Sequence, residues 1–273
     1  MNTGSVVVRR SLGRQLRALR DGANKTSADV NASGIASKTK LQRIEAGSGP
    51  IKMADARALC WLYGADAAVT EKLAELALNT TTEGWWEDYG DVMPRWFGLY
   101  IELETAASSI STYDAELIHG LLQTPAYHRA VFEADVDLTP DLADREVKLR
   151  ADRQKAAYDR NPPLQITAVL GEGALLRMVG GPEAMDEQRW HLRALSEQSN
   201  VDVYILPWNV GAHSGMKGAF TILGFDRPDD PDVVYVETLT GGRYVEQAKM
   251  LQRYRRNLAS IQAQAITIKE YLE

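Results

Sequence analysis

Apolar residues recur at helical spacing through the first 78 positions, and strand-like runs begin only much later in the chain. Leu12, Leu16 and Leu19 fall at i, i+4 and i+7 on one face of a helix that Asp21-Gly22 ends, with the arginines from Arg9 to Arg20 mostly on its other faces. A second, weaker helix fits Thr26 to Ala32, and a turn fits Ser33 to Ala36. A third helix fits Ser37 to Ala46, with Ser37 as its N-cap and Gly47 as its stop. Two more fit Met53 to Tyr63 and Ala65 to Leu78, the last marked by Val69, Leu73, Leu76 and Ala77. The stretch NTTTEGWWEDYGD then reads as a linker that docks its tryptophans on a second domain. Aromatic residues at a junction are more often packing than ligand platforms, so Trp85 and Trp86 are assigned to packing.

The remaining pattern is mixed. Helices fit Pro94 to Ser108, a segment from Pro125, and Leu142 to Tyr158, with an extended piece from Ile110 to Glu116 between the first two. Leu164–Leu170, Val201–Leu206, Phe220–Phe225 and Val233–Thr238 are β-branched or aromatic runs bounded by Pro, Gly, Asn or Asp, and so read as strands. Helices at Gly173–Met178 and Glu183–Ser199 separate the first two strands. A long helix from Val245, with Leu251, Leu258, Ile261 and Ile268 on one face, closes the pattern. The predicted architecture is an all-α head of five short helices over residues 1–79, an aromatic linker over 80–93, and an α+β domain over 94–273 with a small, mainly antiparallel sheet.

Composition narrows the function classes. With 45% hydrophobic residues the 273-residue chain can build one large core and a smaller one. No apolar run approaches the length of a membrane span, and the first residues have the wrong order of apolar and basic positions for a secretory signal. A cytoplasmic protein is expected, associated with the nucleoid when bound to DNA. The single cysteine, Cys60, excludes an internal disulfide framework, and the four scattered histidines offer no zinc spacing, so no metal or cofactor is expected. The net charge of −6 is uneven: residues 1–70 carry eleven Lys and Arg against five acidic residues, a head of +6 on a body of −12. That asymmetry fits a chain of which only one part faces phosphates.

The segment TSADVNASGIASKTKLQRIEAG has the grammar of two helices joined by a tight turn. Val30, Leu41 and Ile44 can face inward while Lys38, Thr39, Lys40, Gln42 and Arg43 stay outward. Lys and Arg donate to guanine, Gln pairs bidentately with adenine, and Thr meets a thymine methyl. SLGRQLRALR followed by SKTKLQRIEAG resembles the Cro/C1-type (XRE) family of helix-turn-helix regulators. The resemblance implies double-stranded DNA as a partner. It places Ser27 at the family's phosphate-contacting position, and Ser37, Lys38, Thr39, Lys40, Gln42 and Arg43 along the reading helix. Arg14 and Arg17 are expected to supply further phosphate contacts, and Arg20 with Glu45 matches the family's structural salt bridge. The chain departs from the family at Asn31, Gly34 and Ile35, where members generally carry Ala, an apolar residue and Gly.

GWWEDYGD through WFGLYIELETAASSISTYDAELIHGLLQTPAYHRAVF, and VDVYILPWNVGAHSGMKGAFTILGF followed by DVVYVETLTGGRYVE, resemble the DUF5753 domain of actinobacterial regulators, with His119 replacing a usual proline. That resemblance implies a one-component or antitoxin-like regulator, a homodimer, and a small DUF397-type protein as a possible partner. Trp208, His213, Tyr235 and Glu237 are the candidate ligand or partner residues. Glu172 with Glu237 lacks a companion nucleophile, and Gly171 with Gly173 lacks the spacing of a dinucleotide site, so no enzyme is expected. The favoured reading is a sequence-specific regulator; the alternatives are an interaction protein holding the small partner and a small-molecule sensor.

Overall fold

The computed structural model describes residues 5–78, 80, 85–94, 96–134, 140–226 and 230–273. The chain forms two compact units, Met1–Glu87 with Arg227–Asp230, and Asp88–Asp226 with Pro231–Glu273.

The first unit is helical: α1 (Ser5–Gly22), α2 (Ser27–Ala32), α3 (Lys38–Glu45), α4 (Met53–Leu62) and α5 (Ala67–Leu78). Not all five are short, since α1 runs 18 residues. Leu12 and Leu16 of α1 bury against Val30, Leu41, Ile44, Leu59, Tyr63 and Leu73, so the 3.6-residue spacing read from the sequence is the spacing of one core. Thr26 caps α2 in a reciprocal pairing with Asp29, and Ser37 caps α3 by accepting from the Lys40 amide at 3.1 Å. The carboxyl end of α3 lies close on α1. A Cβ on Gly13 would stand 2.3 Å from the Ile44 carbonyl oxygen, so only glycine permits that approach. Gly47, at φ +65, ends α3 against the backbone of Arg10.

The second unit is an α/β assembly around a seven-stranded sheet of order β6-β5-β4-β1-β2-β3-β7. Its strands are β1 (Ser109–Asp114), β2 (Gln165–Gly171), β3 (Val201–Leu206), β4 (Phe220–Gly224), β5 (Val233–Thr238), β6 (Gly241–Val245) and β7 (Ile266–Thr267). Its helices are α6 (Gly98–Ala106), α7 (Pro125–Glu133), α8 (Pro140–Tyr158), α9 (Gly173–Leu176), α10 (Pro182–Leu195), α11 (Ala248–Gln262) and α12 (Ile268–Tyr271). β1, β2 and β3 pair in parallel, whereas β1–β4, β4–β5, β5–β6 and β3–β7 pair antiparallel.

The expectation of a small, mainly antiparallel sheet is therefore wrong: the sheet is large, mixed, and parallel at its centre. Helices α7 and α8 separate β1 from β2, and α9 and α10 separate β2 from β3. Such helical crossovers are what parallel neighbours require. Two strands were also unread, because β6 opens on two glycines and β7 is only two residues long. The expected terminal helix is likewise split. Val245 ends β6, α11 stops at Gln262, β7 pairs with β3, and Ile268 begins α12 under a capping box between Thr267 and Glu270.

The two faces of the sheet differ. Tyr113, Phe220, Ile222, Val234 and Val245 pack with Leu251, Leu258 and Ile261 of α11 in an apolar layer. The opposite face carries Thr112, Thr221, Tyr235 and Tyr244, cross-strand partners by register, and α6 covers it: the Tyr100 ring lies 4.5 Å from that of Tyr235. Of the linker, residues 81–84 and the side chain of Trp85 lie outside the described positions, so the docking expected of it does too. A 3-10 turn spans Trp85–Tyr89, and Tyr89 donates to Asp152.

Candidate nucleic-acid interface

Helix α3 is built so that one side is fixed and the other is offered. Leu41 and Ile44 are buried, while Ser37, Lys38, Thr39, Lys40, Gln42 and Arg43 are exposed. Lys38, Thr39 and Gln42 make no side-chain hydrogen bond or ion pair among the described residues. Lys40 Nζ reaches Asp55 at 2.7 Å, and the Arg43 guanidinium lies beside Gly49, where a Cβ would stand 2.9 Å from Nη2. The exposed set thus offers cationic donors, an amide and a hydroxyl on one stripe, the donor and acceptor types that base edges and phosphates match.

Ser27, the first residue of α2, is half-buried beside the Thr26 cap. Between α2 and α3 the turn takes its left-handed residue at Gly34, φ +77, with open space around its Cβ position. The glycine stands one residue earlier than the family pattern places it, and the conformation that needs it has moved with it. α1 contributes unevenly. Arg17 is exposed, with Asp21 at 3.7 Å. Arg14 is only 30% exposed and holds Asp230 at 3.2 Å, an oxygen shared with the buried Arg10 at 3.0 Å. A phosphate at Arg14 therefore competes with an internal carboxylate.

Arg20 and Glu45 form the pair that the sequence singled out. Arg20 Nε and Nη2 donate to the two Glu45 carboxylate oxygens at 2.6 and 3.0 Å, and Nη1 donates to the Lys25 carbonyl at 2.9 Å. The hydrogen bond to Glu45 raises the Arg20 pKa further, so the charge is permanent. This pair joins α1 to the carboxyl end of α3.

The four candidate ligand or partner residues do not share a site. Trp208 is exposed after β3, with its amide donating to Glu172 at 2.7 Å. His213 Nδ1 accepts from the Gly215 amide at 3.2 Å, and its ring lies 5.8 Å from Tyr113, on the α11 face. Tyr235 and Glu237 lie on the opposite face, where sequence reasoning missed their neighbours Tyr100, Glu104, Asp114, Arg150 and Arg153. Arg153 binds both Glu104 oxygens at 2.9 and 2.8 Å, each side chain 3% exposed. Tyr100 Oη meets His119 Nε2 at 3.1 Å, and burial pushes that histidine down to about 4, so it is neutral. One sign was available: Arg153 falls between buried Leu149 and Ala157 at i, i+4 and i+8 on α8, a charged residue in an apolar row.

Among the described residues no cluster of His, Cys, Asp or Glu is placed to hold a metal ion, and no helix is long and apolar enough to cross a membrane. A family model described as a domain of unknown function, DUF5753, matches residues 97–272, nearly two thirds of the chain. The chain belongs to the DUF5753 family. In this DUF5753 protein a second model, a helix-turn-helix domain, matches residues 11–73, from the middle of α1 into α5. Both resemblances drawn from the sequence are thereby borne out, and the N-terminal unit is a helix-turn-helix domain, the element by which DNA-binding regulators dock. No curated protein and no solved structure matches the chain.

Proposed function

We propose that this protein is a sequence-specific DNA-binding transcription regulator in which α3 enters the major groove. Lys38, Thr39, Gln42 and Arg43 read base edges, while Ser27, Ser37, Lys40 and Arg17 hold phosphates. The observation that carries the reading is the two-sided α3, anchored by Leu41 and Ile44 and exposing an unbroken polar stripe within a head of +6. Phosphate contacts supply salt-dependent affinity, and the outward side chains supply the choice of sequence. A homodimer completes the reading, since two such helices meet half-sites about one helical turn, roughly 34 Å, apart. The second unit, within the acidic remainder of the chain (residues 71–273, −12), is where a small DUF397-type protein or a ligand is expected to act on DNA binding. No catalytic role is assigned.

The test is fluorescence anisotropy with a duplex from the protein's own promoter against a scrambled duplex of equal length. The promoter duplex is expected to bind tighter, with affinity falling as salt rises. Arg43→Ala is expected to cost about 1–3 kcal/mol on the promoter duplex and to relax selectivity, whereas Arg17→Ala weakens both duplexes alike. Equal binding of both duplexes by the wild-type protein refutes the reading.

A further inference from the structure

The sheet face under α6, with α8 packed beside that helix, holds charged groups that the fold leaves without hydrogen-bonded or ion-paired partners. Register and alternation put Thr112 and Asp114 of β1, Tyr235 and Glu237 of β5 and Tyr244 of β6 on this one face. Above it, Glu104 and Arg153 satisfy each other. Three ionisable groups remain. Asp114 accepts only from Thr112 Oγ1, at 2.7 Å, and has no cation beside it among the described residues. Glu237 makes no hydrogen bond or ion pair among the described residues. Arg150 makes none either and its Nε is enclosed and unbonded, although Glu146, Glu104 and Glu237 act on it without a hydrogen bond. The Tyr235 hydroxyl is also enclosed without a partner, on a side chain 4% exposed.

These groups form one site. Glu237 acts on Asp114, and Arg150 and Arg153 act on Glu237. Glu237 in turn acts on both Tyr235 and Tyr244. Asp114 and Arg150 are half-buried and Glu237 is exposed, so all three charged groups can be reached from solvent. Burial pushes the Asp114 carboxyl up to about 7, with Glu237 adding to the shift. Two glycines clear space for the polar side chains. A Cβ on Gly120 would stand 1.7 Å from Arg150 Nη1, and one on Gly242 would stand 2.3 Å from the Tyr235 ring and 2.8 Å from its hydroxyl. Asp114 ends β1, the strand where the parallel and antiparallel halves of the sheet meet.

Desolvated charges without partners cost stability, and an apolar layer like that under α11 would have avoided the cost. A ligand with the opposite charges recovers it. We propose that this face binds a zwitterionic small molecule of amino-acid type, its ammonium group held by Asp114 and Glu237 and its carboxylate by Arg150. The Tyr235 hydroxyl donates to or accepts from the same molecule, and the rings of Tyr235 and Tyr244 favour a cation beside their faces. Binding here does not depend on DNA docking, so loss of either reading leaves the other standing.

The test is isothermal titration of the full chain with the L-amino acids, together with ethylamine and acetate as probes that carry one charged group each. At least one amino acid is expected to give saturable heat, and the single-charge probes to bind at least about tenfold more weakly. The Asp114→Asn/Glu237→Gln double variant, and separately Arg150→Gln, are expected to weaken that amino acid by at least about tenfold. Trp208→Ala leaves it unchanged. Circular dichroism checks that each variant is folded. If Arg150→Gln unfolds, the double variant still decides. The proposal is overturned if no amino acid saturates at millimolar concentration, if the double variant binds as well as wild type, or if ethylamine binds as tightly as the zwitterion.

Discussion

Replacing Glu45 with Ala removes the anion that receives two nitrogens of Arg20, at 2.6 and 3.0 Å, where α1 meets the end of α3. Breaking a fully buried pair costs about 3–5 kcal/mol and an exposed one at most about 1 kcal/mol. Here the two side chains are 13% and 11% exposed, and Arg20 keeps Asp21 and the Lys25 carbonyl, each at 2.9 Å. The loss is therefore intermediate, about 2 kcal/mol, which raises the unfolded fraction of the head roughly 30-fold. Hydrogen exchange measures it directly: the buried amides of Leu16, Leu41 and Ile44 should exchange faster by that factor, while those of β1, β2 and β3 keep their protection. A double-mutant cycle with Arg20→Ala isolates the pair itself. Coupling below about 0.5 kcal/mol, the scatter of independent sites, refutes the assignment of this ion pair as the clamp between α1 and α3.

Gly13→Ala should destabilise the head by about 1–3 kcal/mol or more, read from its thermal midpoint, because the new methyl meets the Ile44 carbonyl at 2.3 Å; an unchanged midpoint contradicts the close approach. Ser37→Ala should cost about 1 kcal/mol, with protection lost first in α3, and no loss there counts against the cap at the Lys40 amide. Asp114 has a folded pKa of about 7, raised above its usual value near 4, so its contribution is fully present below about pH 4 and is lost as pH rises through about 7. Urea titrations should accordingly show Asp114→Asn gaining about 1–3 kcal/mol on wild type between pH 5 and pH 8, and parallel pH profiles would refute that shift.

The head was legible because its signals are local. Leu12 and Leu16, the Ser37 cap and the Gly47 stop each act within a few residues, and the outward face of α3 follows once Leu41 and Ile44 point inward. The sheet was less legible because its order is set by partners far apart: Ile110 lies between Ile166 and Leu223, and nothing near Ile110 says so. The capping signal TIKE at Thr267 was present and would have separated α11 from α12. The polar layer was hidden for another reason. Asp114, Arg150, Tyr235 and Glu237 come from three distant stretches, and charged residues taken singly belong on the surface. Only the fold brings them together.

α1 holds α3 at one end. Gly13 touches the carbonyls of Ile44 and Glu45, Arg20 grips Glu45, and Gly47 lies on Arg10, all at the last turn or beyond it. The first turn is held by the Ser37 cap and by Lys40 on Asp55, with Leu41 as the first buried side chain. α3 is thus tied at both ends, to α1 at its last turn and to α4 at its first. Loosening either tie therefore frees one end of α3, and with it the side chains of Lys38 and Thr39 or of Arg43, relative to α1 and α4.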